Sequence, residues 1–414
     1  MDIDTDRLRS DIEQNAQFGA IDHPDGRGRT VLTGTEANKQ ARDYLVERME
    51  AAGLTVQIDA VGNISGRWEP AEITTPNPIA AGSHLDSVPE GGIFDGPLGV
   101  YSALEAVRTI KETKTNINRP LEVVCFTEEE GQRFCDGLLG SSVASGYRSV
   151  DEALQLEDDS GTTLQEALTS IGYQGKGMLS SAEWDSWLEL HVEQGTRLVS
   201  QGVSVGIVTD ITGITHCEIT IKGEANHAGT TSMNDRRDAL TAASEIILDV
   251  EAIANQVVET ESKTAVGTVG SIDVTPNATN VVPGTVTLGL DIRDISSGMI
   301  DQIISHIKDS ISTVEANRPV DIEFSRSIDL EPTPMHDKCQ QAIKQAGNDT
   351  GIEVISLHSG AAHDTMHVAR TTDSGMLFAP SQGGYSHTPR EWTSWEDCAK
   401  ATEVLMASII RLSN

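Results

Sequence analysis

Basic residues are scarce in this chain. Its 414 residues include 63 Asp and Glu but only 30 Lys and Arg, which gives a formal net charge of −33 at pH 7. A negative field of this size repels the phosphate backbones of nucleic acids and does not concentrate them. The composition therefore argues against a nucleic-acid partner.

The acidic excess also bears on the salt concentration at which the chain is stable. Self-repulsion destabilises a folded protein in dilute salt, whereas at 1 M salt the Debye length falls to about 3 Å and screens most of that repulsion. Arg (20 residues) is preferred over Lys (10 residues). We interpret the chain as salt-adapted, or halophilic, although acidic proteins also occur in ordinary cytoplasms.

Long apolar runs and paired cysteines are missing as well. No segment has about 18 uninterrupted apolar residues, and the first residues, MDIDTDRLRSDIEQ, lack the basic and apolar regions of a signal peptide. The five cysteines are widely spread without a C-x-x-C pattern, so most are expected to be reduced core residues. We therefore expect no membrane contact and a cytoplasmic location.

Motifs for nucleotide chemistry are also absent. The chain contains no P-loop and no G-x-G-x-x-G pattern, and its one G-x-S-x-G match is GVSVG at residues 202–206. The missing motifs lower the case for a nucleotide-binding protein, and a single short match is weak support for a serine hydrolase.

The pattern of elements indicates two domains. The chain is longer than one hydrophobic core usually supports, and its first half alternates strand-like runs with helices, as α/β sheets do. From about residue 207 the pattern of predicted elements changes to alternating strands around one long helix. After residue 328 the α/β pattern resumes. We predict an α/β catalytic domain in two parts, residues 1–208 and 329–414, with an α+β domain inserted at residues 209–328.

Five histidines and acids could build a metal site. Each lies beside turn-forming glycines or at the end of a strand-like run, where ligands distant in sequence can converge. Imidazole and carboxylate without thiolate suit zinc, manganese or cobalt. Taken singly, each residue is better interpreted as a cap or a surface side chain. The five are His84, Asp95, Glu130, His191 and His387.

Asp86 lies two residues after His84 and therefore on the same side of an extended segment. We predict that its carboxylate accepts the second N–H of the His84 imidazole and fixes its tautomer. The alternative is an acid that only closes a turn.

Eight motifs occur in an order that resembles one enzyme family. Together they look like the dinuclear-metal amidohydrolases of the N-carbamoyl-L-amino acid hydrolase and allantoate amidohydrolase family, within the aminoacylase and carboxypeptidase superfamily. That superfamily has a metal-binding α/β domain with an inserted lid that also forms the dimer. The motifs are GSHLDSVPEGGIFDGPLGV, FTEEEGQRF, ELHVEQG, GEANHAGTTSMNDRRDAL, NVVPG, DIR, SGAAHD and GGYSHTPRE.

The resemblance implies two divalent metal ions per subunit. One would be held by His84, Asp95 and His191, and the other by Asp95, Glu130 and His387, with Asp95 bridging both. The acid before Glu130 would be the general base. That acid is Glu129, and a register shift of one residue would make it Glu128.

The resemblance also implies residues that contact the substrate. His227 would stabilise the oxyanion, brought by the lid and expected to come from the partner subunit of a homodimer. Gln194, Asn280 and Arg293 would grip the substrate's α-carboxylate, for which the planar fork of Arg is suited. Without the resemblance, His227 and Arg293 would be interpreted as surface residues.

The expected activity is hydrolysis of N-carbamoyl-L-amino acids, allantoate or a related ureido acid, with release of ammonia and carbon dioxide. His191 supports this branch because relatives that cleave peptides commonly have an acid there. Thr196, Ser232 and Ala362 depart from residues common in the family, but none replaces a proposed catalytic group. The alternatives are an aminoacylase or dipeptidase and a non-catalytic ligand-binding dimer.

Two further histidines have the spacing of a ligand pair. His363 and His367 lie four residues apart, but the H-E-x-x-H pattern is absent and no third ligand is apparent nearby. We expect His363 to line the pocket or to be structural, and His367 to be structural.

Overall fold

The computed structural model describes residues 2–414, which divide into two units. The larger unit contains the residues up to Thr209 together with Met335–Ser359 and His363–Asn414. The second unit contains Asp210–Pro334 and Gly360–Ala362. Both units combine helices with sheets, so the predicted α/β class is confirmed.

Strands and helices alternate along the first part of the larger unit. In chain order its elements are α1 (Thr5–Asn15), β1 (Ala20–His23), β2 (Gly26–Arg29), α2 (Glu36–Ala51), β3 (Thr55–Ile58), β4 (Ile64–Trp68), β5 (Ile79–His84), α3 (Pro97–Glu112), β6 (Leu121–Phe126), α4 (Leu139–Ala144), α5 (Val150–Leu154), α6 (Leu164–Ile171), β7 (Ser186–Val192), α7 (Arg197–Gln201) and β8 (Val205–Ile211).

The remaining elements belong to the second unit and then to the closing part of the larger one. They are β9 (Gly213–Lys222), β10 (Asn226–His227), α8 (Ala239–Thr260), β11 (Val266–Thr275), β12 (Val281–Val282), β13 (Thr285–Asp294), α9 (Ser297–Asn317), β14 (Asp321–Leu330), β15 (Thr333–Pro334), α10 (Asp337–Thr350), β16 (Val354–Ser359), α11 (Thr365–Val368), β17 (Asp373–Ala379) and α12 (Trp395–Leu412).

A mixed sheet forms the centre of the larger unit. Its strands run in the order β8-β17-β7-β5-β6-β4-β3, and β16 also pairs with β8. The four strands β17, β7, β5 and β6 are mutually parallel. Their side chains are almost all buried, as expected for parallel strands covered on both faces.

Because these four strands point the same way, their carboxyl ends meet at one edge of the sheet, where ligands bind in open α/β sheets. His84 is the last residue of β5, and His191 is near the end of β7. The segments after β6 and β17 carry Glu130 and His387. The sheet therefore brings together residues that are about three hundred positions apart.

The second unit is a four-stranded antiparallel sheet with helices on one face. Its strand order is β11-β13-β9-β14. Burial alternates along β13, where Val286, Leu288, Leu290 and Ile292 are buried against a cluster that includes the apolar faces of α8 and α9. Period-2 burial of this kind leaves the opposite sheet face polar.

The prediction of one long helix in the inserted domain is wrong, since α9 is a second one. Its buried residues at positions 300, 303, 304, 307, 311 and 314 follow helical spacing, so the signal was present in the sequence. The predicted boundary at residue 328 also falls inside β14, because pairing with β9 continues to Leu330.

Within residues 2–414, no helix combines the length and apolar character needed to cross a bilayer. All five cysteines are free thiols, and four of them are buried. The expectation of reduced core cysteines therefore agrees with the structure.

Candidate metal centre

Two histidines converge on one oxygen of Asp95. His191 Nε2 lies 3.2 Å from Asp95 Oδ1, and His84 Nε2 lies 3.5 Å from the same atom. All three side chains are buried. His84 Nε2 has no hydrogen-bond partner among the described residues, so its lone pair is aimed into the cluster without a donor.

The other oxygen of Asp95 faces a second group of ligands. His387 Nε2 lies 3.6 Å from Asp95 Oδ2 and 3.3 Å from Glu130 Oε2. Ligands about 2.0–2.1 Å from a tetrahedral ion lie about 3.3 Å from one another. The potential ligand atoms of each of these two triads lie within 4.8 Å of one another, so the five residues fit a site for divalent cations with Asp95 shared.

The electrostatics of the cluster favour added positive charge. Burial raises the pKa of Glu129 well above normal, and Asp364 and Glu130 raise it further. Burial and Asp95 do the same to the pKa of Glu130. Carboxylates crowded in this way cannot all be ionised unless cations compensate them, and divalent metal ions supply that compensation.

His191 compensates part of this charge. Burial alone would lower the pKa of His191, but the adjacent Asp95 raises it to about 9. Conversely, burial alone would raise the pKa of Asp95, but His191 and His84 hold it well below normal. The raised pKa favours the protonated form of His191, whereas a metal ion would bind its neutral form.

Glu128 and Glu129 are adjacent but point to different surroundings. Glu128 Oε1 accepts hydrogen bonds from the backbone amides of Arg133 (2.7 Å) and Phe134 (2.9 Å), which closes the turn after β6. Glu129 Oε2 instead lies 3.6 Å from His84 Nε2, inside the cluster. Of the two acids, Glu129 faces the ligands.

The geometry corrects the predicted contact of Asp86. The His84 Nδ1 atom lies 3.2 Å from the backbone oxygen of Asp86, whereas the Asp86 carboxylate is 3.8 Å away. That carboxylate accepts a hydrogen bond from the backbone amide of Glu130 at 3.0 Å. A backbone carbonyl thus orients the imidazole, and the Asp86 side chain holds the segment that carries Glu130.

Gln194 lies at the cluster of candidate ligands. Its Nε2 donates to Asp95 Oδ2 at 3.0 Å and to Ser386 Oγ at 3.2 Å, and its buried Oε1 has no partner among residues 2–414. The free acceptor suits a substrate N–H better than a substrate carboxylate.

Three other predicted residues lie in the second unit. Arg293 donates to both oxygens of Asp291 and to the Gly360 carbonyl, so part of its fork is already paired. Asn280 is exposed, and its backbone carbonyl accepts a hydrogen bond from the backbone amide of Ala228. His227 Nδ1 accepts from the backbone amides of Gly229 (3.0 Å) and Thr230 (3.2 Å), which leaves the proton of the neutral ring on Nε2.

Among residues 2–414, the groups with metal-binding geometry do not include His363 or His367. The His363 ring packs edge-on against His191 with centroids 4.5 Å apart, and its Nε2 is hydrogen-bonded to Ser359 Oγ. His367 packs against the Tyr147 ring. Both therefore have packing roles in this structure.

Sequence reasoning missed a buried support around the ligands. Arg29, Ser386 and Glu391 hydrogen-bond to the segment that carries Asp95. Glu391 is the last residue of the motif GGYSHTPRE, four residues after His387. Its proximity to a candidate ligand was a sequence signal for a role at the site. No pattern marked Arg29.

Residues 80–411, which include all five candidate ligands, match the family described as Peptidase family M20/M25/M40. An N-carbamoyl-L-amino acid amidohydrolase of Geobacillus stearothermophilus is 38% identical over 403 residues, covering 96% of each chain. An allantoate amidohydrolase of Bacillus subtilis (strain 168) is 36% identical over 92% of each chain. The solved structure of a hydantoinase/carbamoylase family amidase from Burkholderia multivorans has a TM-score of 0.92 at 31% identity, covering 100% of this chain and 98% of that one.

Proposed function

This chain belongs to peptidase family M20/M25/M40, and from that premise we propose that it hydrolyses the ureido or amide C–N bond of N-carbamoyl-L-amino acids or allantoate-like ureido acids. The resemblance inferred from its motifs is confirmed by relatives that act on such compounds. The observation that carries the proposal is the pair of ligand triads that share Asp95, with Glu129 beside them.

We propose that two divalent ions, zinc, manganese or cobalt, bind per chain. His84, Asp95 and His191 would hold one, and Asp95, Glu130 and His387 the other. When bound, such ions lower the pKa of a water molecule towards about 7 and polarise the substrate carbonyl. The support is the crowding of buried carboxylates around unpaired imidazole nitrogen.

Glu129 is the proposed general base. Its carboxylate accepts a proton from the attacking water and donates it to the departing nitrogen. For a carbamoyl substrate, one water molecule converts the ureido group to the free amine, ammonia and carbon dioxide. Glu128 is proposed as structural because two backbone amides occupy one of its oxygens.

The second unit is proposed as a lid that supplies substrate contacts. His227 fits the role of oxyanion donor because its Nδ1 is occupied as an acceptor and its Nε2–H is left to donate. Arg293 and Asn280 are proposed to bind the α-carboxylate. Gln194 of the larger unit, whose amide nitrogen is already paired, is proposed to accept a hydrogen bond from a substrate N–H. Since Arg293 already pairs with Asp291, the substrate would use the remaining donor positions of the guanidinium.

We also propose a cytoplasmic homodimer adapted to salt. The free thiols fit a reducing compartment, and the net charge of −33 fits an environment rich in screening ions. The homodimer is proposed from the family resemblance.

The substrate class is tested by two assays on one preparation. Ammonia release is measured with N-carbamoyl-L-amino acids and allantoate, and free amine release is measured with N-acetyl-amino acids and dipeptides. We expect the kcat/KM for at least one ureido acid to exceed the kcat/KM for every acyl substrate and dipeptide by about tenfold or more. The reverse order would identify an aminoacylase or dipeptidase, and no turnover in either assay would favour a binding protein.

A further inference from the structure

The segment from residue 85 to residue 95, here called the metal loop, joins His84 to Asp95. It is irregular, and within residues 85–95 only Gly91 forms a β-bridge, with Arg29. The loop is nevertheless largely buried. Its backbone polar groups need partners, because unpaired buried N–H and C=O groups are costly.

Arg29 supplies partners for the carbonyls of the metal loop. Its side chain is fully buried, and it donates to the backbone oxygens of Leu85 (3.0 Å), Gly92 (3.2 Å), Asp86 (3.4 Å) and Asp95 (3.4 Å). Both ends of the loop therefore hydrogen-bond to one rigid, planar cation.

Glu391 supplies acceptors on the other side of Asp95. Its Oε1 accepts from the backbone amides of Phe94 (2.9 Å) and Asp95 (3.0 Å), and its Oε2 lies 3.1 Å from Ser386 Oγ. Ser386 Oγ in turn lies 2.6 Å from Asp95 Oδ2. A Cβ on Gly92 would lie 2.2 Å from Glu391 Oε1, so a glycine is required for this carboxylate to enter.

We propose that Arg29 and Glu391 are positioning residues that hold Asp95 in the orientation needed to share its two oxygens between metal ions. Arg29 fixes the carbonyl of Asp95, and Glu391 fixes its amide, so the peptide on each side cannot rotate. This inference rests on the proposed function, because it assumes that Asp95 binds metal. Supporting residues of this kind typically contribute about 10- to 100-fold to metal affinity.

The test measures Co²⁺ affinity, by competition with a chelator, and the visible absorption spectrum of bound Co²⁺, which reports coordination geometry. Glu391→Ala should weaken Co²⁺ binding by about 10- to 100-fold and alter the spectrum. Glu391→Gln keeps an oxygen for the two amides, so its affinity should stay within about threefold of the wild type, by the same scale. Arg29→Lys keeps the charge but loses the fork, and should weaken binding as Glu391→Ala does.

Asp59 provides a matched control. It is also a buried acid, and its carboxylate accepts from the backbone amides of Val61, Asn63 and Leu179, but it belongs to none of the metal-binding groups found among residues 2–414. Asp59→Ala should lower the melting temperature while leaving Co²⁺ affinity and spectrum unchanged. If Glu391→Ala behaves in the same way, its role is structural only and the inference is overturned.

Two further outcomes are decisive. If Glu391→Ala does not fold, Glu391→Asp tests the same point, because it keeps the charge but withdraws the carboxylate from the amides; unchanged Co²⁺ affinity in that variant overturns the inference. Failure of the wild type to bind Co²⁺ would overturn the proposed function and this inference together, whereas normal wild-type binding with unaffected variants overturns the inference alone.

Discussion

Three non-glycine residues at the metal centre adopt left-handed backbone conformations. Glu128, Gln194 and His387 each have φ of 56°. Such conformations cost on the order of 1–3 kcal/mol and persist where the surrounding structure over-determines them. Here the hydrogen bonds of Glu128 and Gln194 supply that constraint. The left-handed backbone at these positions directs the side chains of Gln194 and His387 into the cluster. At Glu128 it directs the neighbouring Glu129 there.

At the residue scale, the assignment of the base is tested by Glu129→Gln. The amide cannot accept the proton of water, so turnover should fall at least about a hundredfold. The metal content should stay near that of the wild type because the proposed ligands are retained. Initial rates of ammonia release and metal analysis of the purified variant measure both quantities.

Glu128→Gln is the matched control for this substitution. Its side-chain oxygen can still accept the two turn amides, so turnover should stay within a few fold of the wild type. A larger loss in Glu128→Gln than in Glu129→Gln would move the base by one residue and contradict the assignment.

His367 predicts a pH dependence of stability. Burial lowers the pKa of this imidazole from its ordinary value of 6.5 to about 4. As the pH falls below 6.5, His367 becomes protonated in the unfolded chain but stays neutral in the folded chain. The free energy of unfolding therefore falls until about pH 4. Each unit of pKa difference contributes about 1.4 kcal/mol.

This dependence is measured by urea unfolding of the wild type and of His367→Gln between pH 7 and pH 4.5. The variant should lose less stability than the wild type by more than about 1 kcal/mol over that range. Parallel curves would show that His367 does not account for the acid sensitivity. Comparing the two proteins at each pH removes the contribution of metal loss.

The convergence of the five candidate ligands could be predicted because imidazole and carboxylate side chains lie at strand ends in recognisable motifs. The residues that support these ligands could not be predicted. Arg29 contacts backbone carbonyls more than fifty residues away, and backbone acceptors leave no residue-type signal. The contact predicted for Asp86 failed for the same reason, since a backbone oxygen took the place expected for its carboxylate.

At the scale of elements, the strands that carry the ligands were the most predictable. β5, β6 and β17 read as short apolar runs, and α3 and α12 as helices, in agreement with the structure. The elements left out include α1, α4, α5 and α6, β14 and the second long helix α9. Except for α9, these are short or polar, so packing more than periodicity determines them.

The turn between β5 and α3 should be sensitive to a single methyl group. Gly96 has φ of 80°, and a Cβ there would lie 2.6 Å from the His84 ring. Gly96→Ala should therefore displace His84 and lower Co²⁺ affinity by at least about tenfold, on the scale of lost ligand support. Competition with a chelator measures the affinity.

Gly146→Ala controls for backbone strain. Gly146 is exposed with φ of 72°, and a Cβ there meets nothing within 4 Å. Both substitutions should cost about 1–2 kcal/mol of conformational strain, but only Gly96→Ala should lower metal affinity. Equal metal affinity in the two variants would show that His84 tolerates the added methyl.

At the scale of the whole molecule, the net charge of −33 predicts salt-dependent stability. Raising KCl from about 0.1 M to 1 M shortens the Debye length from about 10 Å to about 3 Å. The melting temperature should rise over this range because like charges on the surface are screened.

A less acidic variant separates screening from general effects of salt. Asp159, Glu251 and Asp309 are exposed, and their joint replacement by Asn, Gln and Asn should raise the melting temperature in low salt and reduce its increase with KCl. An identical increase in the two proteins would mean that surface repulsion does not cause the salt effect.

The organisation of the whole chain was visible as a break in texture at residue 207, close to where the second unit begins. Its end was harder to place because β14 continues the sheet of the second unit through residue 328. Alternation along a strand does not show which strand it pairs with, so sequence pattern alone could not extend the boundary.

The central claim is that divalent ions held by the five ligands are required for hydrolysis. The most direct measurement is ammonia release from an N-carbamoyl-L-amino acid by chelator-stripped protein, as Mn²⁺, Zn²⁺ or Co²⁺ is returned in known equivalents. Activity should be absent after stripping and should rise to a plateau at about two equivalents per chain, as expected for a two-metal site. Full activity in the stripped protein would contradict the account.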